Sequence, residues 1–386
     1  MSRFSIGASV SLDQLERDPH PVLAQLRVSE PVSWIPAMDC WLVTRHDLAL
    51  RVIRDAATYT VDDPRFSTGR VIGPSMLSLD GETHARHRAP FAPPFKPLAV
   101  RDRFAEVVTV EARRLVEQLA PAGQAELRRS LAGPLAAYAM TRALGLGPGE
   151  VAAVLTWYDA IVSAVTEITA GSDVPDSGRE AFSALRDRLL EVIRSEDHES
   201  LLAAAASDTE LSDDEIVSNA AVLLFGGIET TEGMIVNAVL ALLERPDELA
   251  RVRREPSLLD TAIEESLRLE PAAAVVDRYA AGDVELDGIA IGDGDPVRVS
   301  IAAANRDPTV FTDPDRFDLD RPNAGRHLAF AHGPHVCVGV HLARLEALTA
   351  LTILLDRLPA LRLDPEQPAA VRGLVFRKPP ALHVVW

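Results

Sequence analysis

The sequence predicts a mainly α protein with a minor β region, and three observations carry that expectation. Ala, Leu, Val and Arg recur at helical period through 101–119, 131–144, 151–206, 212–244 and 257–269, and leucines recur the same way at 345, 348, 351, 355 and 358. β-Branched and aromatic residues gather instead in 31–43 and in the turn-rich tract 275–322. No repeat, low-complexity linker or clean boundary divides the 386 residues, so 1–386 reads as a single domain.

Taken in order, PVSWIPAMDCWLV at 31–43 places a Pro and an Asp between two strand-like runs and predicts a hairpin. A helix follows over 46–54. The next stretch, 60–79, is rich in Gly, Pro, Ser and Asp and reads as a long irregular loop, a feature that in compact domains usually carries function. Helices within 151–206 break at 171–177. A cap at Ser212, with Asp213, Asp214 and Glu215 filling the first turn, opens a helix that runs to about 244 and stops at Pro246. Another spans 257–269 and ends before Pro271. Between Gly339 and Pro359 neither Gly nor Pro interrupts the chain, so Cys337 falls at or just before a helix start.

A hydrophobic content of 47% is enough for a large core, while a formal net charge of −18 disfavours nucleic acid and anionic membrane surfaces as partners. The opening MSRFSIGASVSLDQLERDPH is too polar for a signal peptide or anchor. The longest apolar stretch, 216–228, is cut by Glu215 and Glu229, short of the ~18 residues of a spanning helix. Two cysteines exclude a disulfide framework and point to a reducing cytoplasm.

Four stretches carry possible chemistry, and each has a plainer reading. Cys337 at a helix N-terminus is placed where NH groups favour a thiolate, although a lone cysteine is as readily a buried structural one. In LLFGGIETTEG, 223–233, Gly226 and Gly227 loosen an apolar helix, and Thr230 can bond back to a carbonyl one turn earlier, opening the helix for a small ligand; close helix packing explains the same glycines. Glu265 and Arg268 share a helix face, as most surface ion pairs at this spacing do. His84 and Arg88 share another and could be a solvated basic face, while Arg86 and His87 beside them are left unassigned.

Together these stretches resemble the cytochrome P450 family. Its cysteine signature, F-G-x-G-x-H-x-C-x-G-x-x-L-A-R, is matched by Phe330, Gly333, His335, Cys337, Gly339, Leu342, Ala343 and Arg344. Ala331 is the one departure, a single added methyl that matters only where φ is positive. The oxygen-binding motif is matched by Gly226, Gly227, Glu229 and Thr230. The resemblance implies the family's triangular fold, haem b held by Cys337 as the iron's proximal ligand, and Phe330 packed near the sulfur. It places His84, Arg88, Arg278 and His335 on the haem propionates. Thr230 would hold a water beside dioxygen, and Glu229 would gate protons to it. Arg316, from PDRF, would join Glu265 and Arg268 in a structural triad. The implied activity is monooxygenation of a hydrophobic small molecule, with dioxygen and with electrons from a ferredoxin and its reductase docking near Arg344, His341 and the Arg101 region. The distal pocket would be lined from 61–79, 151–206, Leu223, Phe225, 273–276 and 374–376. Oxidative coupling, peroxide-driven oxidation and a non-catalytic haem-binding protein are the alternatives.

Overall fold

The cap at Ser212 sets the first turn of a 31-residue helix, Asp213–Leu243, around which the rest is arranged. Ser212 Oγ accepts from the Glu215 N–H at 3.3 Å, and the Glu215 carboxylate accepts from the Ser212 N–H at 2.9 Å, a reciprocal capping box. In this computed structural model, which describes residues 4–169, 173–195, 200–207 and 210–386, nearly every residue of that helix is buried. Gly133–Ala143, Val151–Thr169, Asp176–Ile193, Leu258–Leu269 and Val340–Arg357 all pack on it. A helix apolar on every side needs such a complete coat. Pro97–Leu119 in turn lies along Val340–Arg357. Arg86 and His87, on Gly81–Arg88, both reach Glu215 and so tie that short helix to the start of the long one.

Among the described residues, two helical stretches could cross a bilayer by length and mean hydropathy alone, Pro148–Ile168 and Asp213–Leu243, which corrects the expectation based on uninterrupted apolar runs. The second is mostly buried as a core helix.

The β region is small. Val32–Ile35 and Cys40–Val43 form the expected antiparallel hairpin, with Asp39 left-handed at φ 49° in its turn. Cys40–Val43 pairs in parallel with Pro296–Ser300, which pairs antiparallel with Val275–Ala280, and Tyr59–Thr60 closes the five-stranded sheet. Gln124–Glu126, His383–Val385 and Arg362–Leu363 make a second sheet, and Val284–Leu286 with Ile289–Ile291 a third.

Two expectations need correction. The stretch 60–79 is not wholly irregular, because Ser67–Ile72 is helical; Thr68, Val71 and Ile72 are buried, and the turn packs on Val151–Thr169, contacts that outweigh its poor intrinsic propensity. The break expected at 171–177 is present in its described part, Asp176 starting the next helix, while Gly171 lies outside the described residues. The second correction concerns the triad. Glu265 and Arg268 are fully buried and paired at 2.7 and 2.8 Å. The third member is Arg321, whose Nε donates to both Glu265 oxygens at 2.9 and 3.1 Å. Arg316 contributes only its backbone carbonyl, which accepts from both Arg268 and Arg321. Further guanidinium bonds to the carbonyls of Asn305, Thr312, Asp313 and Pro314 pin the irregular segment between 305 and 321.

Candidate functional site

Cys337 closes a loop on itself. Its N–H donates to the Phe330 carbonyl at 2.9 Å, the Ala331 N–H donates to the Leu328 carbonyl at 2.9 Å, and a single 3-10 turn, Gly333–His335, joins them. Gly333 has φ 74°, and a Cβ there would come within 2.9 Å of the Arg54 backbone, so the loop packs against a neighbouring chain segment that only glycine admits. Ala331 has φ 54°, which corrects the view of its methyl as harmless: the position adopts the left-handed conformation that disfavours any Cβ.

The thiol is free and half-buried. Burial pushes its pKa up, against the Gly339 N–H and the guanidiniums of Arg88 and Arg344, which pull it down. The expectation that a helix start alone favours thiolate is therefore corrected. The helix begins at Val340, and the dipole fades within a turn. A metal at the sulfur would supply the missing positive charge. Among the described residues no three His, Cys, Asp or Glu side chains gather as a metal site, so a metal at Cys337 must bring most of its ligands with it.

Gly81–Arg88 presents His84 and Arg88 on one face, as spacing predicts. The His84 and His335 rings lie 4.4 Å apart, and His335 is bonded to Asp80 at 2.7 Å. Asp80, which opens the register leading to Arg88, carries no role of its own in the sequence reading. Burial works against its charge, yet His335, the Thr60 hydroxyl and the Val61 N–H hold its carboxyl well below the usual range. His84 Nε2 is buried with no partner among the described residues; burial, His335 and Arg88 push its pKa down to about 4. Arg88 donates to the Val336 carbonyl at 2.6 Å, one residue from the cysteine. Arg278, buried on its strand, donates to the Asp277 carbonyl at 2.7 Å, with Asp80 and Asp277 its nearest charges. Asp80, His84 and Arg88 line a cavity of about 680 Å³ with Pro334 and Ala89. An orphaned imidazole nitrogen and cations short of carboxylate partners are what a group bearing two carboxylates would satisfy, so this donor set fits haem.

On the long helix, Thr230 is half-buried and its Oγ1 donates to the Gly226 carbonyl at 2.6 Å. The back-bond is present, yet the helix runs unbroken, so the expected opening is not. The two glycines separate in role. Among the described residues a Cβ on Gly226 would meet nothing within 4 Å, whereas one on Gly227 would strike the Met140 sulfur at 2.6 Å. Gly227 therefore serves packing against Gly133–Ala143. Nor does the structure bring Glu229 to Thr230. The Glu229 carboxylate is buried on another face, receiving the Tyr158 hydroxyl and pairing with Lys378 at 2.7 Å. Lys378 and Tyr158 were not singled out in the sequence. The signal that could have found them is that acids at 229 and 232, one turn apart in an apolar helix, demand buried cations somewhere.

Phe330 faces Arg344, whose guanidinium lies 4.8 Å over its ring while bonding Glu264 at 2.6 and 2.8 Å. Arg344 is thus ion-paired to Glu264 while its side chain stays partly at the surface, 38% exposed. Around the expected pocket, Phe225 meets Phe376 edge-on at 5.6 Å, and Ala273 bridges Phe376. The Met76 N–H donates to Asn219 of the long helix at 2.7 Å, bringing the 61–79 segment against it.

A family profile described as Cytochrome P450 matches residues 185–384. Cytochrome P450 monooxygenase PikC of Streptomyces venezuelae is 37% identical over 90% of this chain and 85% of its own. Nocardicin C N-oxygenase of Nocardia uniformis subsp. tsuyamanensis is 37% identical over 97% of both. The crystal structure of CalO2 superposes with a TM-score of 0.89 at 31% identity, covering 100% of this chain and 99% of that one.

Proposed function

The chain belongs to the cytochrome P450 family, whose fold it has, and is a haem b monooxygenase; on that premise we propose that residues 1–386 act as a single domain oxidising a hydrophobic small molecule of natural-product metabolism. The observation that carries the reading is Cys337 itself: a free thiol in a backbone-closed loop, with the Gly339 N–H and two guanidiniums disposed to stabilise its anion. Relatives of similar length support the substrate class, since one is named for N-oxygenation of nocardicin C. So does the apolar wall formed by Phe225 and Phe376.

In this reading Cys337 would ligate the haem iron, and the Gly339 N–H at its sulfur would temper the thiolate. His84, Arg88, Arg278 and His335 would hold the propionates, with Asp80 orienting His335. Bound haem supplies dioxygen activation, using electrons from a separate ferredoxin and its reductase in the cytoplasm. The Thr230 hydroxyl donates its hydrogen bond to the Gly226 carbonyl, which leaves the hydroxyl oxygen free to accept a hydrogen bond from water beside it. Glu229 feeds protons toward that hydroxyl, for which its side chain must first leave Lys378 and Tyr158.

The test is a reduced, carbon monoxide-bound difference spectrum followed by product analysis with surrogate redox partners. We expect the thiolate-shifted Soret band in the parent protein and its loss in Cys337→Ser. A parent protein that binds haem without that band would sink the proposal.

A further inference from the structure

Glu229 and Glu232 stand one turn apart on the long helix and share one lysine. Lys378 Nζ lies 2.7 Å from Glu229 Oε1 and 2.8 Å from Glu232 Oε1, and the Tyr158 hydroxyl is 3.4 Å away. Tyr158 donates to Glu229; burial, and then both carboxylates, push its phenol far up, so it remains a donor. Arg128 donates to Glu232 through Nε and to the Pro380 carbonyl through Nη1 at 2.9 Å. Two acids thus face two cations in a region where both acids are almost wholly buried. Such a quartet is neutral as a whole, which is the condition under which buried charge is tolerated.

The arrangement has one asymmetry. Glu232 Oε2 is buried and has no hydrogen-bond partner among the described residues, while Oε1 carries both Arg128 and Lys378. Space for that spare oxygen is kept by Gly133, since a Cβ there would lie 2.7 Å from it. A lysine bound to Glu229 alone would become an uncompensated buried cation whenever Glu229 moved, and the carboxylate would be frozen in place. Here the same ammonium already touches a second carboxylate with an acceptor in reserve.

We propose that Glu232 is a positioning residue for proton delivery: it takes over Lys378 when Glu229 turns toward Thr230, so that the buried lysine is never left unpaired. The inference rests on the reading that Glu229 passes protons.

Without substrate, a surrogate ferredoxin–reductase pair and NADPH reduce dioxygen either to peroxide, with two electrons and two protons, or to water, with four of each. Both routes take one proton per electron, and they part on whether the proton that commits the O–O bond to cleavage arrives before peroxide is released, so the peroxide formed per NADPH oxidised reports how well that proton is delivered. Glu229→Gln and Glu232→Gln should each raise that share severalfold with the carbon monoxide spectrum intact. Glu232→Gln combined with Lys378→Met, which removes the cation needing a keeper, should return it toward the parent value. If Glu229→Gln raises the share and Glu232→Gln does not, the role of Glu232 is overturned and the reading of Glu229 stands. An unchanged share in Glu229→Gln overturns both. A double variant as peroxide-prone as Glu232→Gln also overturns the keeper role. Should Glu232→Gln fail to retain haem, urea unfolding of the haem-free protein decides. Lys378→Met should lower the folding constant about tenfold less in the Glu232→Gln background than in the parent, and equal losses would overturn the proposal.

Discussion

Ala331 holds a left-handed φ of 54° in the loop that carries the cysteine, a conformation costing a non-glycine residue roughly 1–2 kcal/mol. Part of that returns as lost chain entropy when glycine is introduced, so Ala331→Gly should stabilise the protein by about 0.5–1 kcal/mol in urea unfolding and leave haem content unchanged. A destabilised variant would mean that the methyl makes contacts outweighing its strain. Glu346 gives a residue-scale prediction of opposite character. Its carboxylate is buried on the Val340–Arg357 helix, Oε2 has no partner among the described residues, and burial alone raises its pKa well above the ordinary value. For an acid raised on folding, stability is full below the unfolded value, about 4.3, and declines as pH rises above it. Glu346→Gln should therefore match the parent at pH 4 and exceed it in urea resistance at pH 8. The same difference at both pH values would contradict the burial argument.

The Leu258–Leu269 helix holds its neighbours through charge, and here structure and sequence part in an instructive way. Arg268 and Arg321 grip one buried carboxylate, while the Arg316 side chain is exposed and only its carbonyl is used. Arg321→Ala should cost about 3–5 kcal/mol, with loss of haem incorporation on expression, because it leaves buried Glu265 half compensated. Arg316→Ala should fall within about 0.5 kcal/mol of the parent in the same unfolding assay. The helices were legible from periodicity and caps, since Ser212 with Glu215, and Pro271 after Leu269, act within one turn of chain. His84 and Arg88 were legible for the same reason. Which of two arginines five residues apart reaches Glu265 was not, because an irregular segment's path is set by carbonyl contacts with a distant helix. Lys378 stayed hidden likewise: nothing near it in sequence is acidic, and its partners lie about 150 residues upstream.

At the scale of the molecule, a net charge of −18 repels an acidic electron donor unless a local patch intervenes. Lys96 and Arg101 are exposed at the start of Pro97–Leu119, which packs along the helix following Cys337, and His341 is half-exposed on that helix. Reversing Lys96 and Arg101 to Glu should slow ferredoxin reduction severalfold at low ionic strength, with the difference fading as salt rises past roughly 0.15 M. A salt-independent rate would place docking elsewhere. The parallel pairing of Cys40–Val43 with Pro296–Ser300 bears on how the protein is born. At about 5–20 residues per second, the ribosome delivers the partner strand on the order of tens of seconds after the hairpin has emerged. Through that interval the hairpin has one finished edge and one waiting edge. Cys40, whose thiol burial in the finished sheet pushes up to about 12, stays open to alkylation until the last third of the chain arrives. Its reactivity on stalled nascent chains is a clock for closure of the sheet.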